Sequence, residues 1–286
     1  MDDLLKPTRP QFYAEANHSI PVGQARDARA SPPPLEVAIG LAMRRRGDGI
    51  LVGGEIQQAE RELQRFGTET VIAALEIFAT EARRARIREV LARRLQSVTL
   101  VVDALHDPHN GAALVRSCDA FGVQTMHAIE RKEPLAVAAS VSRGTQKWID
   151  VVRWEGGAPC IAALKARGYA LVATHPDGDL EPEDLASIPK LGLVMGNERE
   201  GIDPELRAAC EHAVRVPMVG FVESLNVSVT AAILLHAATR RRPGDLDEAR
   251  KLSLYARALW LSVPRPADHV EGYLQQRAPG ALRSGS

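Results

Sequence analysis

Residues 214–240 read VRVPMVGFVESLNVSVTAAILLHAATR. A short strand-like segment ends in Pro217-Met218-Val219-Gly220, and a loop then carries Ser224 and Asn226 to the start of a long apolar helix. Ser and Asn are favoured at helix starts because their side chains accept from backbone N–H groups that lack an intrahelical partner. A cap accounts for one of the two and leaves the other unexplained. Two earlier segments repeat the arrangement: HNGAALVRSCDAFGV at 109–123 and LVMGNEREGIDPEL at 193–206. Each sets polar residues between an apolar strand and a helix, where ligand sites gather in α/β folds.

Outward from these segments, strands and helices alternate. VTLVVDA (98–104), VQTMHAI (123–129), IDVV (149–152), YALVAT (169–174), LGLVMG (191–196) and AVRV (213–216) read as short buried strands. The pattern predicts an α/β fold, a mostly parallel sheet with helices on both faces, over 98–242. Asp203, Pro204 and Glu205 open a predicted helix over 204–212 with a cap, a first-turn proline and an acid near the positive end of the dipole. Upstream, 54–97 reads as helical from apolar residues at three- and four-residue steps, Leu63, Val71, Leu75 and Phe78 among them. Residues 1–53 hold many prolines and little sustained period and are expected to be poorly ordered, with one short helix at 35–45. Downstream, 243–286 reads as a helical tail. Its segment 246–262 carries Leu252, Tyr255, Leu259 and Leu261 on a face expected to meet the main domain or a second subunit, and a short helix is expected over 267–276.

The 286 residues carry 36 basic and 36 acidic side chains, so net charge does not announce a nucleic-acid partner. The charge is uneven, however. Segment 83–94 holds six arginines and one glutamate, and 240–251 is also Arg-rich. Arg83, Arg84, Arg93 and Arg94 are therefore candidate phosphate contacts, a solvated face being the alternative. Three separated cysteines without CxxC spacing fit a reducing compartment and no disulfide framework. With no apolar leader and no run near ~18 apolar residues, the chain is expected to be cytoplasmic and off the membrane. The histidines show no metal-ligand spacing, and no metal is expected. There is no GxGxxG, P-loop or GxSxG.

Within the three segments, Asn110 can cap its helix, and Arg116 follows six residues later with Asp119 beyond it. The plain reading of Arg116 is a surface ion pair with Asp119. Gly196 permits close backbone approach to a ligand. Glu198 is a solvent carboxylate or a partner of Arg199 unless it faces a ligand, and Met218 has a core-filling alternative. Taken together, Asn110 with Arg116, Gly196-Asn197-Glu198 with Gly201, and Val216-Pro217-Met218 followed by Ser224-Leu225-Asn226 resemble the motifs of the SpoU/TrmH family of RNA 2′-O-ribose methyltransferases, within the SPOUT superfamily. They fall in that family's order and kind of spacing.

That resemblance covers about 98–242 and implies a trefoil-knotted α/β domain, a homodimer and bound S-adenosylmethionine. Cofactor contacts carry over to Thr174, Gly196, Val216, Met218 and Leu225, at three strand ends. Asn110, Arg116, Glu198, Ser224 and Asn226 carry over as the polar groups around the reacting ribose. Arg116 is implied as base or phosphate clamp, although a guanidinium is intrinsically a poor base. RIREVLARRLQSVTLVVDALHDPHN (86–110) is similar to the TrmH branch, whose members methylate a guanosine ribose in the tRNA D-loop and grip tRNA with basic flanking helices. Methylation of ribosomal RNA, or a non-catalytic RNA-binding knotted module, is the alternative.

Overall fold

The computed structural model describes residues 50–51, 53–131, 147–197 and 199–277. The expected helix at 35–45, nearly all of the 1–53 segment and Glu198 lie outside the described residues. The described strands form one sheet in the order β1-β4-β3-β2-β6-β5-β7. These are β1 (Ile50–Leu51), β2 (Leu95–Asp103), β3 (Val123–Ile129), β4 (Asp150–Trp154), β5 (Ala170–Thr174), β6 (Leu191–Met195) and β7 (His212–Val214). All pairings are parallel except β1 against β4. The two-residue β1 is too short to have left a pattern in the sequence.

The order reverses direction at β2, which has β3 on one side and β6 on the other. Val102 of β2 is in register with Met195, and Asp103 with Ile129. The loops leaving β2 and β6 therefore emerge side by side at the C-terminal edge, a switch point where α/β sheets bind ligands. Helices α4 (Pro108–Ala120) and α7 (Val227–Thr239) pack one face of the sheet, burying Leu114, Val115, Leu234 and Leu235 against Leu100, Met126 and Leu193. Helices α5 (Gly157–Ala166) and α6 (Pro204–Ala208) belong to a second core with Val101, Leu171 and Val194.

Helix α6 stops well short of the expected 212. Glu211 is drawn into the sheet: its N–H donates to Leu171 O at 3.0 Å, and its carboxylate accepts from Leu171 N at 2.6 Å. Strand β7 starts at once.

The chain's two flanks share a core of their own. α1 (Gly54–Phe66), α2 (Thr68–Leu75) and α3 (Glu81–Ala92) come from the N-terminal side, and α8 (Glu248–Ser262) and α9 (Pro266–Arg277) from the C-terminal side. They bury Leu63, Val71, Leu75, Tyr255, Leu259 and Trp260 together. The tail face expected to meet the main domain or a second subunit instead meets α1–α3, and Leu252 points outward, 48 % exposed.

A buried charge network ties this helical layer to the sheet. Asp150 of β4 is fully buried and accepts from Arg250 Nη2 and Arg257 Nη1, both at 2.6 Å, and from Gln124 Nε2 at 3.1 Å. Arg257 also donates to Glu60 of α1 at 3.0 Å. Burial alone would raise the Asp150 carboxyl, but the Arg257 and Arg250 charges outweigh it and hold it below the usual carboxylate range.

Of the two Arg-rich segments, each has a member committed to the fold, and one of these, Arg94, is an expected phosphate contact. Arg94 is 2 % exposed, its guanidinium donating to the Asp119 carboxylate, so it cannot reach a phosphate. Arg242, from the second Arg-rich segment, commits its guanidinium to the carbonyls of Leu185, Ile188 and Pro189. Arg84 is half-buried and paired with Glu81 at 2.5 Å. Arg83 and Arg93 remain exposed.

Candidate active site

A cavity of about 750 Å³ opens at the C-terminal edge, between the ends of β5, β6 and β7 and the start of α7. Thr174, Gly196, Val216, Met218 and Leu225 all line it, as do Ser224 and Asn226. Its size lies within the range of sites for small molecules and cofactors. The wall mixes apolar side chains such as Met195 and Val214 with charges of both signs, Arg207 against Glu200 and Glu223.

Gly196 has a reason to be glycine that the sequence did not show. A Cβ there would lie 2.2 Å from the carbonyl carbon of Gly201, so the close approach is to the chain's own backbone. Asn197 and Gly201 exchange backbone hydrogen bonds at 3.2 Å, and Gly201 turns the chain at φ 68°. Asn197, unassigned from sequence, braces this turn: its Oδ1 accepts from Arg199 N at 2.9 Å and Glu200 N at 2.7 Å. Its Nδ2 is buried and finds no partner among the described residues, leaving an unsatisfied donor on a residue that lines the cavity. Such a donor is costly unless a ligand or water accepts from it.

Asn226 is the cap of α7. Its Oδ1 accepts from Ser228 N at 2.8 Å and Ser228 Oγ at 2.6 Å. That leaves Nδ2 to donate to Asn110 Oδ1 at 3.1 Å, across 116 residues of sequence. The first and third motifs are thus joined directly. Asn110 itself is 8 % exposed and does not cap α4; Asp107 does, accepting from His109 N at 2.8 Å with Pro108 in the first turn. Ser224 is exposed at the cavity.

Arg116 stands apart. It lies six residues beyond Asn110, about 9 Å along the helix and on a different face. It is exposed, outside the cavity wall, and makes no hydrogen bond or ion pair with a described residue. The expected pair with Asp119 does not form, because Asp119 is taken by Arg94. Asp103, also unassigned from sequence, is fully buried at the end of β2, where it accepts from Asp203 N at 2.7 Å and Arg131 Nε at 3.0 Å, holding the loop after β6 against the loop after β2. The only sequence signal for it was an acid closing an apolar strand. Among the described residues, no group of three or more His, Cys, Asp or Glu is placed to hold a metal ion, and no helix is long and apolar enough to cross a membrane.

A mostly parallel sheet with a cofactor-sized cavity at its C-terminal edge, lined by the Ser224 hydroxyl and by the Asn226 carboxamide that bonds Asn110, is the arrangement of an α/β fold with a small-molecule site. Comparison with known proteins narrows the class. Residues 97–236 match the model of the SpoU rRNA Methylase family. The tRNA (guanosine(18)-2′-O)-methyltransferase of Escherichia coli is 35 % identical over 161 residues, which cover 56 % of this chain and 70 % of that one. The enzyme of the same name from Thermus thermophilus is 36 % identical over 164 residues, covering 57 % and 84 %. The crystal structure of the A. aeolicus TrmH/SpoU tRNA modifying enzyme superposes with a TM-score of 0.59 at 28 % identity, over 65 % of this chain and 98 % of that one. The chain belongs to the SpoU methylase family.

Proposed function

We propose that the protein transfers a methyl group from S-adenosylmethionine to a ribose 2′-hydroxyl of tRNA, most specifically of a guanosine in the D-loop. The observation that carries this reading is the convergence at one cavity edge of all five expected cofactor positions with the Asn110–Asn226 bond. The similar proteins from E. coli and T. thermophilus are tRNA (guanosine(18)-2′-O)-methyltransferases, which favours tRNA over ribosomal RNA.

The residues present fit the cofactor. The orphan Asn197 Nδ2 offers a donor, and the paired signs of Arg207 and the two glutamates suit a zwitterion that also carries a sulfonium. When bound, S-adenosylmethionine supplies an electrophilic methyl. The chain must hold the ribose hydroxyl in line with it and help remove a proton. Ser224 at the cavity orients the ribose. Asn226, fixed by its cap bonds, holds Asn110 and so sets the start of α4. Arg116 meets the ribose or its phosphate, and Glu198 is assigned to orient Arg116 or the RNA. The family's trefoil knot is part of the reading; crowding of the Gly178 backbone against Val214, with a Cβ position 2.6 Å from its carbonyl carbon, supports tightly crossed chain at this edge.

The active form is a two-fold homodimer in which Arg116 serves the partner's cavity. Arg116 lies off its own cavity, and Val219, Phe221 and Val222 beside that cavity expose apolar surface, Phe221 completely. A monomer by light scattering at working concentration contradicts this. The cell compartment is the cytoplasm, where tRNA is modified. The function is tested by incorporation of labelled methyl from the cofactor: label enters bulk tRNA and not ribosomal RNA. Label in ribosomal RNA alone moves the substrate, and label in neither ends the reading.

A further inference from the structure

Away from the cofactor cavity, a hollow of about 220 Å³ lies between α3, α8 and Trp148. One face of α3 turns toward it, with Arg83, Ile87 and Val90 at helical steps, and Arg94 follows just past the helix end. Its floor is apolar, with Leu91 and Leu254. Trp148 is half-buried, and its carbonyl is held by Gln124 Nε2 at 3.1 Å. The Arg83 guanidinium carbon sits 5.4 Å from the centre of the indole ring. Among the described residues its guanidinium donates to Ser262 Oγ, at 3.2 Å, and pairs with no carboxylate. Arg86 is tied to exposed Glu89, at 2.8 Å, a helical surface pair that contributes little. Arg94 and Arg257, also in the wall and themselves buried, are committed to carboxylates, Asp119 for the first and Asp150 and Glu60 for the second.

The hollow therefore presents an aromatic face, an apolar floor and two cations whose charge is available. Its volume is below the ~300 Å³ at which pockets for drug-sized molecules begin, a size suited to one nucleobase. Aromatic stacking beside cationic donors is how proteins hold unpaired nucleotides without reading sequence. We infer that this hollow takes one unpaired nucleotide of the RNA substrate, its base on Trp148 and its phosphate on Arg83 and Arg86. The inference rests on the RNA-modifying reading above. Asp119 in the wall is one helical turn from Arg116 on the same side of α4, so a nucleotide anchored here sits close to the residue assigned to the ribose. Arg83, lying on the indole in the free protein, moves to the phosphate as the base takes its place.

The test uses the full chain and an unmodified tRNA transcript. Trp148→Leu, which keeps apolar bulk against the helical core, is expected to weaken tRNA binding about 5- to 100-fold. Trp148→Tyr keeps a stacking face and is expected to stay within about 3-fold of wild type. Arg83→Gln is expected to lower the log–log salt slope by about 0.7. Binding of S-adenosylmethionine is expected to be unchanged in all three, which reports intact folding. Wild-type tRNA affinity in Trp148→Leu, or equal losses in the Leu and Tyr variants, overturns the inference and leaves Trp148 a packing residue. A wild-type protein that binds no tRNA at all overturns the functional reading as well; normal binding by wild type and Trp148→Leu alike overturns the inference alone.

Discussion

Helix α4 and the helical layer both carry arginines, and they use them in opposite ways. In the helical layer, Arg250 and Arg257 are buried on Asp150, and Arg257 also holds Glu60. Far along α4 from the cavity, Arg116 is exposed and without a partner among the described residues, and at the C-terminal edge Asn197 keeps a buried donor unpaired among them. A buried guanidinium needs a carboxylate because its desolvation is otherwise uncompensated. One left unpaired on an exposed helix face costs little in the free protein and is available to a substrate. The difference separates charges committed to the fold from a charge left unpaired at the surface.

The largest expected effect lies at the unpaired arginine of α4. Arg116→Ala should lower turnover by roughly 100- to 10,000-fold, the range for a group that assists proton transfer or charge placement, with cofactor binding and thermal unfolding unchanged. Arg116→Lys should not restore activity, because the planar fork is lost. Near-wild-type turnover in either variant returns Arg116 to the surface.

In the helical layer the same comparison predicts a stability effect. Asp150→Asn leaves two buried guanidinium groups facing an uncharged amide, and denaturant unfolding should show a loss of about 3–5 kcal/mol. A change below about 1 kcal/mol would mean that Glu60 and solvent carry these charges, and that the two regions differ less than argued.

A smaller effect separates the two through pH. His127 is buried in β3 and accepts from Trp154 Nε1 at 2.9 Å. Burial, then the Arg167 charge, push its pKa down to about 3. The unfolded chain takes up that proton near pH ~6.5 while the folded chain stays neutral. Stability is therefore complete above that pH and falls as pH drops toward 3, by up to about 1.4 kcal/mol per unit. The depressed Asp150 carboxyl acts in the same direction below about pH 4. Urea midpoints should thus fall between about pH 7 and 5, and in His127→Gln that slope should flatten. A midpoint independent of pH in wild type contradicts a neutral buried His127.

Apart from the two-residue β1, the strands were legible because each holds a short apolar run; β3 follows the expected 123–129. The cavity positions were legible through motif order at strand ends. What remained hidden was pairing over distance. Nothing near Arg94 announces Asp119, 25 residues on, and nothing near Asp150 announces Arg250, 100 residues on. An arginine-rich run therefore read as a phosphate grip where one member is a structural tie. Asn110 and Asn226 were each singled out, but the bond between them was not visible. Gly196 was singled out for closeness of backbone to a ligand, while its crowding by Gly201 was not visible, because that tight turn is a matter of register rather than composition.

The most direct measurement is the chemical identity of the product. After incubation of the wild-type protein with S-adenosylmethionine and an unmodified tRNA transcript, nuclease digestion and mass spectrometry should yield 2′-O-methylguanosine at one position, and none with Arg116→Ala. A methyl group found on a base, or an RNA that stays unmodified while the cofactor binds, would contradict ribose 2′-O-methylation as the work of this site.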